Sequence, residues 1–219
     1  MDAAPIVEWE TETYPSSRAV TTEHNLAGRV ASVSGAPVTG SPTTYASSLS
    51  YAAQGAISSV MMGNGMTEST TFNTRFQPTQ ISAGSLLTLN YDYGSTTNNG
   101  NVVSHTITRG SQVWTQTFPQ YLATGAAYDG ANRLIGAAES VTGTGTPWSQ
   151  TYGYDAYGNR AVTASSFSEN LSAPISTSQY SATTNRIITQ STGTTMPTDA
   201  YDAAGNLADH PYVGQFTYL

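Results

Sequence analysis

Thr151–Arg160 reads TYGYDAYGNR, and its core is Tyr154-Asp155-Ala156-Tyr157-Gly158-Asn159-Arg160. An Asp at the first position of a tight turn accepts backbone N–H groups on its carboxylate, and a Gly at the last position takes a left-handed backbone without steric cost. A type I turn followed by a left-handed residue is a common β-hairpin connection. Upstream, Trp148, Gln150, Tyr152 and Tyr154 alternate with Ser149, Thr151, Gly153 and Asp155. The stretch therefore predicts an aromatic-faced strand that runs into a hairpin turn.

The unit recurs along the chain. Tyr201-Asp202-Ala203-Ala204-Gly205-Asn206-Leu207 is nearly a copy. Tyr128-Asp129-Gly130-Ala131-Asn132-Arg133-Leu134 has Asn at the Gly position, and Asn also tolerates a left-handed backbone. Looser copies start at His24 (HNLAGRV), Tyr51 (YAAQGAI, with Ala52 in place of Asp) and Phe72 (FNTRFQP, with Phe76 in place of Gly). Two more have longer turns: Tyr91-Asp92 closing on Gly100-Asn101-Val102, and Tyr180 closing on Asn185-Arg186-Ile187. The anchors lie 19 to 37 residues apart, as in repeat architectures. Gly28, Gly55, Gly100, Asn132, Gly158, Asn185 and Gly205 are expected at positive φ. Tyr51, Tyr91, Tyr128, Tyr154, Tyr180 and Tyr201 are expected on one face of the sheet, largely buried against neighbouring repeats.

The pattern Tyr-Asp-x-x-Gly-Asn/Arg-x-aliphatic resembles the YD repeat of the RHS family, which includes bacterial polymorphic toxins, the C components of Tc toxins and the animal teneurins. The resemblance runs from His24 to the end of the chain. It implies an all-β fold, an antiparallel β-hairpin array that spirals into an open shell or solenoid segment. Residues 1–23 then form an N-terminal strand and edge segment, and residues 24–219 the repeat region. The family's self-cleaving segment, rich in Asp, Pro and Gly, has no counterpart here, so that activity is carried over onto no residue. Gln215–Leu219 looks like the strand leading into a further copy, which makes the chain read as a piece of a longer polypeptide.

Composition agrees with a repeat sheet. In 219 residues only 10% are charged, and 14 Tyr stand against 5 Phe. Tyr and Thr suit a half-buried pleated surface. All seven basic residues are Arg, and Arg29, Arg133, Arg160 and Arg186 follow shortly on the turn residue. There they are expected to reach along the sheet to carbonyls or to the repeat's Asp, rather than to form an anion-binding row. The net charge of −7 disfavours nucleic acid and anionic membrane as partners. Without Cys there is no disulfide framework and no thiolate metal site. Met1–Glu10 has neither a basic start nor an apolar run, so it is no signal peptide, and no segment has the apolar length of a membrane span. In Ile6–Tyr14, Glu8, Glu10 and Glu12 alternate with Val7, Trp9 and Thr11, a strand whose charged side could blunt an exposed sheet edge. Gly35–Pro42 and Met61–Gly65 read as turns, and Val103–Thr108 with Val113–Phe118 as a hairpin around Arg109-Gly110-Ser111.

Chemistry is sparse. His24, His105 and His210 have no metal-ligand spacing. Asp209-His210-Pro211 lacks a GxSxG partner and reads as a surface turn. The repeated Asp92, Asp129, Asp155 and Asp202 are explained by their turns. No catalytic residue, cofactor or metal is expected. Trp9, Trp114 and Trp148 are the candidates for stacking on sugar rings, set against a packing role. The leading expectation is a non-enzymatic structural segment of a β-shell around a toxin or other cargo, secreted or at a bacterial cell surface. Its partners would be the remainder of a longer polypeptide or the cargo. The alternatives are an adhesin that binds carbohydrate or protein, and a homo-oligomer or fibre built through sheet edges.

Overall fold

The computed structural model describes residues 6–36, 43–96, 98–118, 127–167, 173–190, 193–197, 199–210 and 214–215. The strands are β1 (Ile6–Thr13), β2 (Ala19–Asn25), β3 (Val30–Ala36), β4 (Thr43–Tyr51), β5 (Ile57–Met62), β6 (Thr67–Phe72), β7 (Pro78–Ala83), β8 (Leu87–Asp92), β9 (Ser104–Arg109), β10 (Gln112–Thr117), β11 (Gly136–Thr142), β12 (Trp148–Tyr154) and β13 (Arg160–Ser165). Among the described residues they form one open antiparallel sheet in chain order, β1 to β13. A short pair, β14 (Asp209–His210) and β15 (Gly214–Gln215), follows. Helix is confined to one 3-10 turn, Thr177–Gln179. Contacts divide the chain into two compact units: Met1–Thr115 with Val141–Thr144, and Gln116–Ser140 with Gly145–Leu219.

One turn construction accounts for most of the hairpins. The residue after the anchor donates its N–H to the carbonyl four residues on, and accepts the N–H three residues on. These two bonds measure 2.8 and 2.8 Å at Asn25, 2.8 and 2.9 Å at Ala52, 3.0 and 2.9 Å at Asn73, 2.9 and 2.9 Å at Asp129, 3.2 and 3.2 Å at Asp155, and 2.9 and 3.0 Å at Asp202. The same pair of bonds closes Tyr14–Arg18, Met62–Met66 and Gln190–Thr194, none of which carries the Tyr-Asp signature. All seven residues expected at positive φ have it, from 58° at Asn185 to 101° at Gly100.

In the first unit, register separates two faces. Ser59, Ser69, Ser82, Thr88 and Thr108 line up on one, beside Gln80, Asn90 and Thr106. Ser69 Oγ lies 2.8 Å from Ser82 Oγ, and Gln80 Nε2 donates to Asn90 Oδ1 at 2.9 Å. The other face carries Val60, Ile81, Leu89, Ile107 and Tyr91. No second layer covers either face among the described residues, and Gly35 is the one buried residue of the unit there. Gly35 belongs to β3 rather than to a turn. A Cβ there would lie 2.0 Å from Tyr45 Oη, so this glycine marks a close approach inside a strand. Residues 37–42 lie outside the described residues. Met61 and Met62 likewise end β5, and the turn itself is Gly63–Gly65. The Arg109-Gly110-Ser111 hairpin joins β9 to β10.

The second unit has a small core of Ala137, Ala138, Ala161, Val162, Met196 and Ala200. It forms where later chain runs beside β13 and on from it: Val162 N donates to Pro174 O at 2.8 Å, Ile188 N to Gln179 O at 2.8 Å, and Met196 N to Ile188 O at 2.9 Å. Gln179 is buried, with its Oε1 accepting Ile175 N and Ser176 N and its Nε2 donating to Gln190 O.

Phe76 has φ 61° at a Gly position and is 56% exposed. A left-handed backbone costs a non-Gly residue about 1–2 kcal/mol, so Phe76→Gly is expected to raise stability in urea by about 1 kcal/mol. Gly63→Ala is expected to lower it by about 2 kcal/mol, since overpacking has no outlet there. Its Cβ would lie 2.1 Å from the backbone oxygen of Thr44.

Candidate functional site

The sequence-predicted residues converge on one recurring place, the junction between successive repeats. Within each turn the residue after the anchor works as a cap. Asp155 Oδ1 accepts Tyr157 N and Asn159 N, both at 2.9 Å, and its Oδ2 accepts Asn159 Nδ2 at 2.7 Å. Asp129 accepts Ala131 N and Arg133 N at 2.9 Å and pairs with Arg133 Nε at 2.7 Å. Asp202 holds Asn206 through both oxygens, at 2.8 and 2.9 Å. Asn25 and Asn73 do the same with amide oxygens, and Ser181 with its hydroxyl. In the widened turn, Asp92 Oδ1 accepts Gly94 N at 2.8 Å. Ala52 has no such group, yet its turn closes on the two backbone bonds alone.

Between repeats the anchor hydroxyl takes over. Tyr51 Oη donates to Val30 O at 2.7 Å, Tyr154 Oη to Leu134 O at 2.7 Å, and Tyr180 Oη to Arg160 O at 2.8 Å. Tyr201 Oη accepts Ile187 N at 3.1 Å. Each partner is the first strand residue after the preceding repeat's turn. At the fourth copy Tyr93 takes this part, donating to Pro78 O at 3.1 Å, while Tyr91 stacks on His105 at 4.6 Å. The anchors are half-buried rather than largely buried. The ring lies along the sheet toward the preceding repeat and keeps one side in solvent.

That open side is where the arginines go. Arg29 lies over the Tyr51 ring at 5.2 Å, Arg133 over Tyr154 at 4.5 Å, Arg186 over Tyr201 at 4.9 Å, Arg160 over Tyr152 at 5.0 Å and Arg18 over Tyr45 at 4.9 Å. Arg133 also reaches its own Asp129 and, at 3.4 Å, the Asp155 carbonyl. The sequence reading anticipated the Asp and carbonyl contacts but missed the stacking on Tyr. The signal was present: an Arg just after one turn is followed in the next repeat by a Tyr anchor.

Hydrogen bonds hold the turn carboxylates below the usual range, from the Arg133 backbone N–H at Asp129 and from the side-chain amides of Asn159 and Asn206 at Asp155 and Asp202. Burial pushes Tyr128, Tyr152 and Tyr180 above the usual phenol value.

The tryptophans do not share a site. Trp9 in β1 is 71% exposed, Trp114 is half-buried in β10, and Trp148 in β12 stacks on Phe167 at 5.7 Å. His24 lies in β2, His105 in β9 and His210 in β14. Among the described residues no three His, Asp or Glu side chains gather as a metal-binding group. β1 pairs with β2 alone among the described residues, and Glu8, Glu10 and Glu12 are exposed along it. Phe216–Leu219, expected as a strand that presents an unpaired edge or pairs with another chain, lie outside the described residues.

Two expectations test the junction. Tyr154→Phe leaves the Leu134 carbonyl unpaired and should cost about 1 kcal/mol in chemical denaturation, and a double-mutant cycle with Arg133→Ala should show about 0.5–1 kcal/mol of coupling. The lowered Asp values stabilise the fold above the unfolded carboxylate pKa, about 3.9, and that contribution is lost as pH falls through the folded values. The raised Tyr values stabilise it below the unfolded phenol pKa, about 10, and that contribution is lost as pH rises through the folded values. Thermal midpoints should therefore be flat between these limits, with the acid limb made shallower in Asp155→Asn.

No family model and no curated protein matches the chain. Solved structures do. The Photorhabdus luminescens Tc holotoxin pore matches 69% of this chain with a TM-score of 0.53 and 18% identity. A TcdB2–TccC3 crystal structure matches 69% with a TM-score of 0.56 and 17% identity. The TcdB2–TccC3 structure without its hypervariable C-terminal region matches 90% with a TM-score of 0.52 and 13% identity. The chain spans only 8–11% of the length of these proteins. At such identities the likeness is one of fold: the sheet is built like a stretch of the RHS-repeat shell of these toxin components, as its Tyr-Asp repeats implied.

Proposed function

We propose that this chain is a non-enzymatic wall segment of a β-shell that encloses a polypeptide cargo, within a longer secreted or surface polypeptide. The observation that carries the reading is the use made of the repeat residues. Their Tyr hydroxyls, Asp carboxylates and Arg guanidiniums are spent on turns and on the junctions between repeats. What they hold together is an open antiparallel sheet with one face of hydroxyls and amides. Such a face offers weak, exchangeable hydrogen bonds to an unfolded chain and little charge to trap it. The fold likeness to Tc toxin components supports the same reading. The exposed Trp9 favours a second reading, contact with a carbohydrate or protein at the β1 edge.

Limited proteolysis of the polypeptide encoded by the whole reading frame tests the first reading. Residues downstream of Leu219 should resist protease in the intact protein and become sensitive when Tyr154→Ala and Tyr201→Ala weaken the wall. Equal cleavage in both would overturn cargo enclosure. Loss of binding on a glycan array in Trp9→Ala, with protease resistance unchanged, would favour the second.

A further inference from the structure

Two Asn-Gly pairs, Asn64-Gly65 and Asn99-Gly100, are exposed in the first unit. Gly leaves its nitrogen unshielded by a side chain, so that nitrogen can attack the preceding Asn amide and close a five-membered imide. In both pairs the Asn oxygen accepts a backbone N–H two residues on, Asn64 Oδ1 from Met66 N at 3.0 Å and Asn99 Oδ1 from Asn101 N at 3.1 Å. That bond polarises the amide and stabilises the oxyanion that develops on Oδ1 during attack.

The attacking nitrogens differ. Gly65 N is tied to Met62 O at 2.8 Å in a turn that Met62 N and Met66 O close at 2.7 Å. Gly63 N adds a bond to Tyr45 O at 2.8 Å, which ties this turn to the neighbouring strand β4. Gly100 N is bound to a side chain, Asn98 Oδ1, at 3.0 Å, in the wide loop between β8 and β9. Gln77 holds that amide through both its atoms, at 3.1 and 2.6 Å, so freeing Gly100 N costs side-chain bonds but no backbone bond of a hairpin turn.

We propose that Asn99 is a site of spontaneous deamidation in the folded protein, and that the fold protects Asn64. Gly100 N loses its proton to solvent and bonds to Asn99 Cγ. The Cγ–Nδ2 bond breaks, and ammonia leaves with a proton from water. Water then opens the imide at either carbonyl, giving an aspartyl or isoaspartyl residue at position 99. The new carboxylate lies next to Asn98, whose carbonyl holds Arg75 Nη1 and whose amide bonds Gln77. It supplies a negative charge beside Arg75 that the gene does not encode. The extra backbone methylene of an isoaspartyl linkage fits a wide loop and would break the Met62–Met66 turn.

The test is peptide mapping by mass spectrometry, with enzymatic methylation of isoaspartyl groups as a second readout, after incubation of the folded chain in mildly alkaline buffer. The same chain in urea is the reference. In urea both pairs should convert at similar rates. In the folded protein, position 99 should convert several-fold faster than position 64. The conversion should vanish in Asn99→Gln and persist in Asn64→Gln. Equal rates at the two positions when folded, faster conversion at 64, or conversion at neither while the urea sample converts would each overturn the proposal.

Discussion

A single sheet with no covering layer leaves its first unit with one buried residue among those described, so directional bonds must do what a packed core does elsewhere. The Tyr hydroxyl bond to the preceding repeat is that device. It spans from one anchor to the backbone where the last turn ends, at 2.7 Å from Tyr51 and 3.1 Å from Tyr93 in this unit, and the second unit, with its small core, repeats it at Tyr154 and Tyr180. A Phe at the same position would pack as well and bond to nothing. This explains why Tyr outnumbers Phe by 14 to 5. It also explains why half-burial suffices: the ring needs one side on the sheet and the other under an Arg.

The turns tolerate more variation than the junctions. Asp129, Asp155, Asp202, Asn25 and Asn73 cap with different atoms, and Ala52 does not cap at all, yet each of these turns closes with the same two backbone bonds, while the Ser181 turn closes one residue later. The shared requirement is a left-handed residue four places after the anchor, met by Gly, by Asn132, and by Phe76 at the expense of strain; Asn185 meets it one place later in its longer turn. The Asp adds to a turn whose geometry already exists.

Such a construction suits a wall. Each repeat recognises its neighbour through main-chain atoms, so strand sequences can drift toward hydroxyls on one face and aliphatic residues such as Ile81, Leu89 and Ile107 on the other. For the wall role proposed above, holding a chain without gripping it would call for many weak partners and few charges, and 10% of the residues are charged.

The sequence by itself determined the repeat. The Tyr-Asp-x-x-Gly spacing specifies a local reversal, and local reversals are decided by the φ preferences of a few residues, which is why every turn residue named from Gly28 to Gly205 was legible. The strand pattern around Trp148–Tyr154 and the Arg109-Gly110-Ser111 hairpin were legible for the same reason. What only the tertiary structure decided lies across strands. Gly35 read as a turn residue, because nothing local announces that the Tyr45 ring will lie on it. The Arg133 stack on Tyr154 joins residues 21 positions apart, and the bond from Tyr180 to Arg160 joins residues 20 apart. The depth at which the anchors sit follows from what covers the sheet. That depends on where the chain returns, as it does beside β13 at Pro174, and no spacing within one repeat encodes it.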